Sequence, residues 1–199
     1  MKERPILFST EMVKAIIDGR KTMTRRVIKP QPKHFHYTSD AQYPSKPDGE
    51  QINCPYGQAG DRLWVRETWV DMVCVASTEK GKGKGESNPH YKASSDSTEL
   101  KILAGHWKPS IFMPRKYSRI TLDITNVRVE QLQEINIQKH DDVAREGWPF
   151  VYTGLAIEKA PVELFAELWD SINLKRSYSW ASNPWVWVIE FRLTGEGKQ

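Results

Sequence analysis

The chain has little cysteine, no long apolar run and no strong excess of either charge. Its two cysteines, Cys54 and Cys74, are too few for the disulfide framework of a small secreted protein, so we expect both to be reduced thiols. No apolar stretch is long enough to span a membrane, and the N-terminal residues enter a predicted strand without a signal-peptide core. The sequence therefore predicts a cytoplasmic protein with no membrane partner.

A recognised metal-binding pattern is also lacking. His34, His36 and Cys54 lie near one another in the sequence, but a His-x-His pair with one cysteine is not a known zinc-ligand spacing. The formal net charge of +4 is lower than a dedicated duplex-DNA-binding protein usually carries, yet it is compatible with a polyanionic ligand. We predict no metal and no cofactor.

The 199 residues are enough for one well-packed domain, and we predict a single domain over residues 1–199. Two segments look like loop insertions, at about residues 30–53 and 75–106. The first is rich in proline with little apolar periodicity, which predicts an irregular excursion. The second contains the stretch EKGKGKGES, which predicts an exposed and partly disordered loop.

Mixed strand and helix patterns predict an α+β fold. Residues 5–9 form a predicted strand, a helix capped by Thr10 follows, and a second helix beginning at Pro161 has a broad apolar face. Residues 185–193 are apolar on both faces, which predicts a central strand. Trp180, Trp185 and Trp187 suit base stacking, but packing in the core is the commoner role of tryptophan in or beside such a strand.

The stretch GRKTMTRR at residues 19–26 carries the main concentration of candidate functional residues. Gly19 is expected to end the first helix, with Lys21 in the turn and a strand over residues 23–28. In that strand Thr24 and Arg26 face one way, and Met23, Arg25 and Val27 the other. The long Lys21 side chain then reaches back towards the Thr24 hydroxyl as a base beside a nucleophile. The alternative is a solvated turn, since basic residues after a helix C-terminus are favoured by the helix dipole.

Two carboxylates stand out by their positions. Glu67 lies on the apolar face of a predicted strand over residues 62–69, so it is either paired with a cation or poised for chemistry. Glu146 ends a predicted helix over residues 137–146, before Gly147. A carboxylate there opposes the helix dipole, so another interaction must hold it in place.

Four features follow one another along the chain: GRKTMTRR, GDRLWVRETW, a strand followed by a short helix ending in AREG, and a last strand NPWVWVIEF. In this order they resemble the ASCH domain, in particular its longer bacterial and phage-type members. The resemblance covers most of the chain outside the two insertions. It implies a PUA-like fold, which is a small mixed β-barrel with flanking helices, and relatives of this fold bind RNA or modified nucleobases.

Small bacterial ASCH proteins that are N(4)-acetylcytidine amidohydrolases use a lysine, a threonine and a glutamate. The resemblance matches the lysine to Lys21 and the threonine to Thr24, and Arg26 keeps the final arginine of the motif. The glutamate matches Glu146 more loosely, with Glu67 as the rival carboxylate. This chain is longer than those enzymes, so their activity can be lost or redirected.

The leading hypothesis is therefore a hydrolase that cleaves an exocyclic amide of a nucleoside or an RNA base. The predicted partners are a nucleoside or RNA, including single-stranded nucleic acid. We predict that substrate or nucleic acid is contacted by Arg20, Thr22, Arg25, Arg26 and Arg66. The alternative is a non-catalytic module that binds RNA or a modified base, and a third hypothesis is a phage structural or assembly factor. The sequence leaves the oligomeric state open.

Overall fold

The structure, a computed structural model, describes residues 1–37, 42–71, 89–95, 98, 106–135, 140–147 and 161–195. The strands are β1 (Glu3–Leu7), β2 (Met23–Val27), β3 (His34–Tyr37), β4 (Gln42–Ser45), β5 (Arg62–Arg66), β6 (Trp69–Asp71), β7 (Pro89–Tyr91), β8 (Thr121–Gln131) and β9 (Trp185–Leu193). The α-helices are α1 (Thr10–Ile17), α2 (His140–Arg145) and α3 (Pro161–Asn173). This mixture confirms the α+β prediction.

A five-stranded mixed sheet forms the centre of the fold, in the order β1-β5-β8-β9-β2. Strand β1 runs parallel to β5, and the other neighbouring pairs are antiparallel. Two small antiparallel sheets, β3–β4 and β6–β7, lie outside it. Strand β9 is bonded to β8 on one side and β2 on the other, which confirms the predicted central strand.

Strand β9 separates two apolar clusters because alternate side chains point to opposite faces of a sheet. Trp187 and Ile189 pack in a cluster that includes Val13 of α1. Val186 and Val188 pack in a second cluster that includes residues of α2 and α3. Trp187 is 6% exposed, so its side chain belongs to the core.

The sheet curls but is not closed within the described residues. Strands β1 and β2 are its two edges, and a side chain rather than a backbone ladder joins them: Arg26 Nη2 donates to the Leu7 carbonyl at 2.7 Å. The closed barrel that the resemblance implied is therefore not found. The structure supports the coarser description, a five-stranded mixed sheet with flanking helices.

The first helix ends as its sequence predicts, but it begins one residue differently. Ser9, rather than Thr10, is the N-cap, and its hydroxyl accepts a bond from the Met12 N–H at 3.3 Å. Gly19 follows the helix with a φ of 71°, a left-handed conformation that glycine adopts without a steric penalty.

The first predicted insertion is more regular than expected. Residues 34–37 and 42–45 pair as an antiparallel hairpin, so the prediction of an irregular excursion is wrong there. Phe35 packs on Trp185 with a centroid distance of 4.3 Å, and Ile52 is 7% exposed in the core. These contacts hold the segment against the domain despite its prolines.

Most of the second predicted insertion, including the glycine- and lysine-rich stretch, lies outside the described residues. Its described part includes β7, which pairs with β6, so residues 89–91 form a strand and not an irregular loop. None of the helices in the described ranges is long and apolar enough to cross a lipid bilayer.

Candidate functional site

A cavity of about 290 Å³ lies against the edge strand β2. Both faces of β2 contribute to it, with Thr24 and Arg26 from one face and Arg25 and Val27 from the other. The register confirms the predicted alternation, because Thr24 lies opposite Ile189 and Arg25 opposite Val188. An edge strand has no neighbour on one side, so side chains of both faces border the same space.

Helix α3 and a loop after β4 supply the other walls of the cavity. The apolar wall is formed by Met12, Tyr56, Phe165, Leu168, Trp169 and Ile172. Glu146 borders the cavity directly after α2, and Lys29 and Arg176 are basic residues that also line it. The cavity therefore combines an apolar wall with a polar floor.

Lys21 lies behind this floor in a buried ion pair. Its Nζ donates to Glu146 Oε2 at 2.8 Å, to the Glu146 carbonyl at 2.7 Å and to the Met23 carbonyl at 2.8 Å. Lys21 is 2% exposed and forms a β-bridge with Glu146. The prediction that Lys21 lies in a turn is thus wrong, because Lys21 pairs with Glu146, the residue that follows α2, through this isolated bridge.

The Lys21 amine does not bond the Thr24 hydroxyl in the described part of the structure. Instead it bonds the carbonyl of Met23, the residue that precedes Thr24. Three acceptors match the three N–H groups of an ammonium ion. The arrangement is therefore that of a protonated lysine, within one peptide unit of the threonine.

Burial lowers the pKa of Lys21 below its ordinary value, because desolvation penalises the charged ammonium form. The neighbouring Glu146 carboxylate opposes this shift, and the charges of Arg26 and Arg25 add smaller contributions that lower the pKa further. Desolvation, and not the like charge of the two arginines, is therefore the main cause of the lowered pKa.

Arg25 ties Glu146 into a larger buried cluster. Its Nη1 donates to Glu146 Oε1 at 3.1 Å, and its Nη2 contacts Asp142 Oδ2 at 2.8 Å and Glu130 Oε2 at 3.2 Å. The Arg25 side chain is fully buried. These bonds supply the interaction that Glu146 needs at its unfavourable place after a helix, and they fasten α2 to β2 and β8.

The cluster extends through Arg128 and Arg145. Arg128 pairs with Glu130, Asp142 and Glu190, and Arg145 Nη2 pairs with Glu190 Oε2 at 2.8 Å. The cations are Lys21, Arg25, Arg128 and Arg145, and the anions are Glu130, Asp142, Glu146 and Glu190. Equal numbers of opposite charges make the cluster neutral.

Gly147 allows Lys21 to approach the end of α2. Its φ is 87°, and a Cβ placed there would lie 2.8 Å from Lys21 Cβ and 2.9 Å from Ala15 Cβ. Both distances are shorter than side-chain contacts allow. The glycine after Glu146 is therefore needed both for its backbone conformation and for this close packing.

Three of the predicted binding residues lie away from the cavity. Arg20 bonds the Gly147 carbonyl and Asp18 at 3.0 and 2.8 Å, and the Thr22 hydroxyl accepts a bond from Arg145 Nε at 3.2 Å. Arg66 stacks over the Trp64 ring at 5.5 Å. None of the three lines the cavity.

The rival carboxylate Glu67 is engaged elsewhere. Its oxygens accept from Arg119 Nε at 2.9 Å and Nη2 at 3.1 Å, and Glu67 is 1% exposed. Of the two alternatives that the sequence leaves open for Glu67, the structure shows the pair with a cation. Glu146, and not Glu67, is the carboxylate beside Lys21.

Sequence reasoning missed the cavity wall and two of its cations. The helical period of α3 does predict an apolar face, but it cannot distinguish a face in the core from one that borders a cavity. Lys29 and Arg176 carried no local signal, because Lys29 is a single basic residue beside Pro30 and Arg176 is one of two adjacent basic residues that the sequence does not distinguish. Among the described residues, no group of three or more His, Cys, Asp or Glu side chains is arranged to hold a metal.

We predict that Gly147→Ala destabilises the protein more than Gly19→Ala does. Both positions have positive φ, which costs a non-glycine residue roughly 1–2 kcal/mol. Only the Gly147 variant adds the clash with Lys21 and Ala15, and overpacking of this kind costs about 1–3 kcal/mol more. Urea unfolding of both variants measures the difference, and equal losses would show that the close approach is unimportant.

A second prediction concerns stability and pH. Since the folded-state pKa of Lys21 is lowered, the unfolded chain binds more protons, and stability rises with pH as the pH increases towards the ordinary value of 10.5. The Lys21→Met variant lacks this contribution. Urea unfolding at several pH values from 7 to about 10 should show a steeper rise for the wild type, and parallel curves would contradict the shift.

The chain has no match among protein-family models and none among curated protein sequences. It is similar to a solved structure of a protein from Enterococcus faecalis V583 that is described by the family model DUF984. The TM-score is 0.43 at 10% sequence identity, with 98% of this chain and 81% of that chain covered. A likeness of this size does not establish a common fold or function.

Proposed function

We propose that this chain is a cytoplasmic amidohydrolase that removes an acyl group from the exocyclic amine of a nucleobase, as in N(4)-acetylcytidine. Thr24 is the nucleophile, Lys21 the base that accepts its proton, and Glu146 the residue that holds the lysine in position. The proposal keeps the PUA-like ASCH assignment, to which the resemblance in the GRKTMTRR stretch leads.

The observation that carries the proposal is the buried Lys21–Glu146 pair beside a cavity that contains Thr24. The Lys21 amine, whose pKa is lowered, bonds the carbonyl of Met23, and the next residue, Thr24, borders a ligand-sized space. A base close to a hydroxyl is what the activation of a threonine requires. The apolar wall with Tyr56, Phe165 and Trp169 suits a flat aromatic base.

In the first step the Thr24 hydroxyl oxygen attacks the acyl carbonyl carbon, and the neutral Lys21 amine takes the hydroxyl proton. The negative charge that develops on the carbonyl oxygen is stabilised by Arg26, whose buried Nε has no hydrogen-bond partner among the described residues. The Lys21 ammonium then returns the proton to the leaving base nitrogen. Water hydrolyses the acyl-threonine ester and releases the carboxylic acid.

Lys21 must lose a proton before this cycle begins. As an ammonium it bonds three acceptors, and as a neutral amine it keeps two N–H groups and gains a lone pair. Bonds to the two Glu146 oxygens use both N–H groups, so the bond to the Met23 carbonyl is given up and the lone pair becomes available to accept the Thr24 proton. Desolvation of Lys21 lowers the pKa and so favours this form.

The alternative is a module that binds a modified base without cleaving it. One observation favours it: the Lys21 ammonium is fully hydrogen-bonded and belongs to a neutral cluster, which is also the arrangement of a purely structural ion pair. In that case the same cavity binds the base, and Lys21 only fixes the strand. Turnover measurements separate the two functions.

We predict that the wild type hydrolyses acetylcytidine at a rate that rises with pH to a plateau below pH 10.5, since Lys21 acts as a neutral amine. Lys21→Arg should reduce the rate at least a hundredfold, because a guanidinium cannot accept a proton. Thr24→Ala should be equally damaging, and Thr24→Ser should keep part of the rate. Mass spectrometry of acylated nucleosides and short RNAs, each incubated with purified protein, measures the turnover.

Two outcomes of this experiment contradict the proposal. Hydrolysis by Lys21→Arg at the wild-type rate would exclude Lys21 as the base. Binding of the acylated nucleosides without any cleavage by the wild type would identify the protein as a binding module.

The two buried glutamates give a matched pair of variants. Glu146→Gln should lower the hydrolysis rate strongly, because the lysine loses the partner that positions it. Glu67→Gln should lower stability by about 1–3 kcal/mol, since it breaks the bidentate pair with Arg119, while the hydrolysis rate of the folded protein stays near the wild-type value. Hydrolysis rates measured at urea concentrations below the unfolding midpoint, together with urea unfolding curves, test this for both variants. A strong loss of hydrolysis rate in Glu67→Gln but not in Glu146→Gln would assign the positioning role to Glu67.

A further inference from the structure

The mouth of the cavity differs from its floor in electrostatic character. On the floor, Arg25 and Glu146 are buried and belong to the neutral cluster. Lys29 and Arg176, which also line the cavity, are exposed. Arg26, between floor and mouth, is partly buried. The two exposed cations Lys29 and Arg176 therefore mark the mouth of the cavity, and Arg26 is the more buried cation of the three.

These three cations have no carboxylate partner in the part of the chain that the structure describes. Arg26 bonds a backbone carbonyl and stacks over the Phe8 ring at 5.2 Å. Lys29 stacks over the Tyr178 ring at 5.2 Å, and no ion pair of Arg176 occurs among the described residues. Burial is the main cause that lowers the pKa of Arg26; the Glu146 carboxylate opposes this shift, and the charge of Arg176 adds a smaller contribution that lowers the pKa. Lys29 and Arg176 therefore leave positive charge at the opening that no ion pair among the described residues neutralises.

The most buried apolar residues of the cavity and its two exposed cations differ in depth. Phe165 and Trp169 are 5% exposed and form the inner wall, which suits an aromatic base. Cations in an exposed position suit a group that stays hydrated and negatively charged, and arginine is the residue best matched to phosphate. The volume of about 290 Å³ is near the lower limit of ligand pockets, about 300–1,000 Å³, so it fits one nucleotide unit.

We infer that Lys29 and Arg176 form a phosphate subsite, and that the preferred substrate is a nucleotide rather than a free nucleoside. The inference rests on the proposed function for the identity of the base, but the subsite follows from the charges at the opening. The phosphate is either the monoester of a mononucleotide or a diester within RNA. Both forms of the phosphate have anionic oxygens that can contact the same cations.

The test compares three substrates with the wild type: acetylcytidine, acetylcytidine 5′-monophosphate, and a dinucleotide in which this phosphate is a diester. We expect KM to be about tenfold lower for one or both phosphorylated substrates, which corresponds to about 1.4 kcal/mol of binding. The preference should shrink at high salt, because exposed charges are screened. The better of the two phosphorylated substrates identifies the source of the phosphate.

Arg176→Gln and Lys175→Gln form the matched pair of variants. The two residues are neighbours in the same short 3₁₀ helix, both are exposed, and only Arg176 lines the cavity. Arg176→Gln should lose most of the preference for phosphate, whereas Lys175→Gln should keep it. Equal KM values for all three substrates in the wild type, or equal losses in both variants, would overturn the subsite.

A binding measurement separates this inference from the proposed function. Isothermal titration calorimetry of the wild type and Arg176→Gln with cytidine and with cytidine 5′-monophosphate requires no turnover. Tighter binding of the monophosphate by the wild type alone, without cleavage of any acylated substrate, would keep the subsite and reject the hydrolase. Cleavage of acetylcytidine with equal binding of the two ligands would keep the hydrolase and reject the subsite.

Discussion

The Glu146 carboxylate joins the edge strand β2 to the helix α2, and the arrangement of the site depends on it. One oxygen accepts from Lys21 and the other from Arg25, so two buried cations share one anion. Breaking a buried ion pair by removing one partner costs about 3–5 kcal/mol, because a charge is left without compensation. The same contacts fix the strand that carries Thr24, so the position of the proposed nucleophile depends on a carboxylate that it does not touch.

The topology explains why a cavity forms at this place. Strand β2 is at the edge of the sheet, where no further strand occupies the space beside it. Helix α3 lies across that space and closes it with apolar side chains, while residues after α2 pair with the chain before β2. Lys21 and Glu146 are 125 residues apart in the sequence, so the site is completed only when distant parts of the chain have come together.

Local patterns in the sequence predicted the parts of the fold that local physics determines. Gly19 ends α1 because it adopts the left-handed conformation, and β9 is central because both of its faces are apolar. The alternation in residues 23–27 is also confirmed by the register with β9. The hairpin of β3 and β4 was missed, since its prolines obscure the strand pattern in the sequence.

Contacts between distant residues account for what could not be predicted. Lys21 precedes the alternating stretch, so its position in the sequence suggests a turn. Its burial results from the pairing with Glu146, which is distant in the sequence. The face of α3 was predicted to be apolar, but the period does not reveal that part of this face borders a cavity. Glu67 shows the same limit, because its sequence position is compatible with a cation pair or with a role in chemistry, and only the contact with Arg119 distinguishes the two.

The neutrality of the buried cluster has a consequence for how the chain can vary among its descendants. The loss of a single charge at one of its buried positions, such as Lys21 or Glu146, leaves a net charge in a poorly solvated interior. An exchange that removes one cation together with its contacting anion, such as Lys21 with Glu146, leaves the interior neutral. We therefore expect correlated substitutions among the cluster residues in and beside β2, β8, α2 and β9, although these four parts of the chain are distant in the sequence.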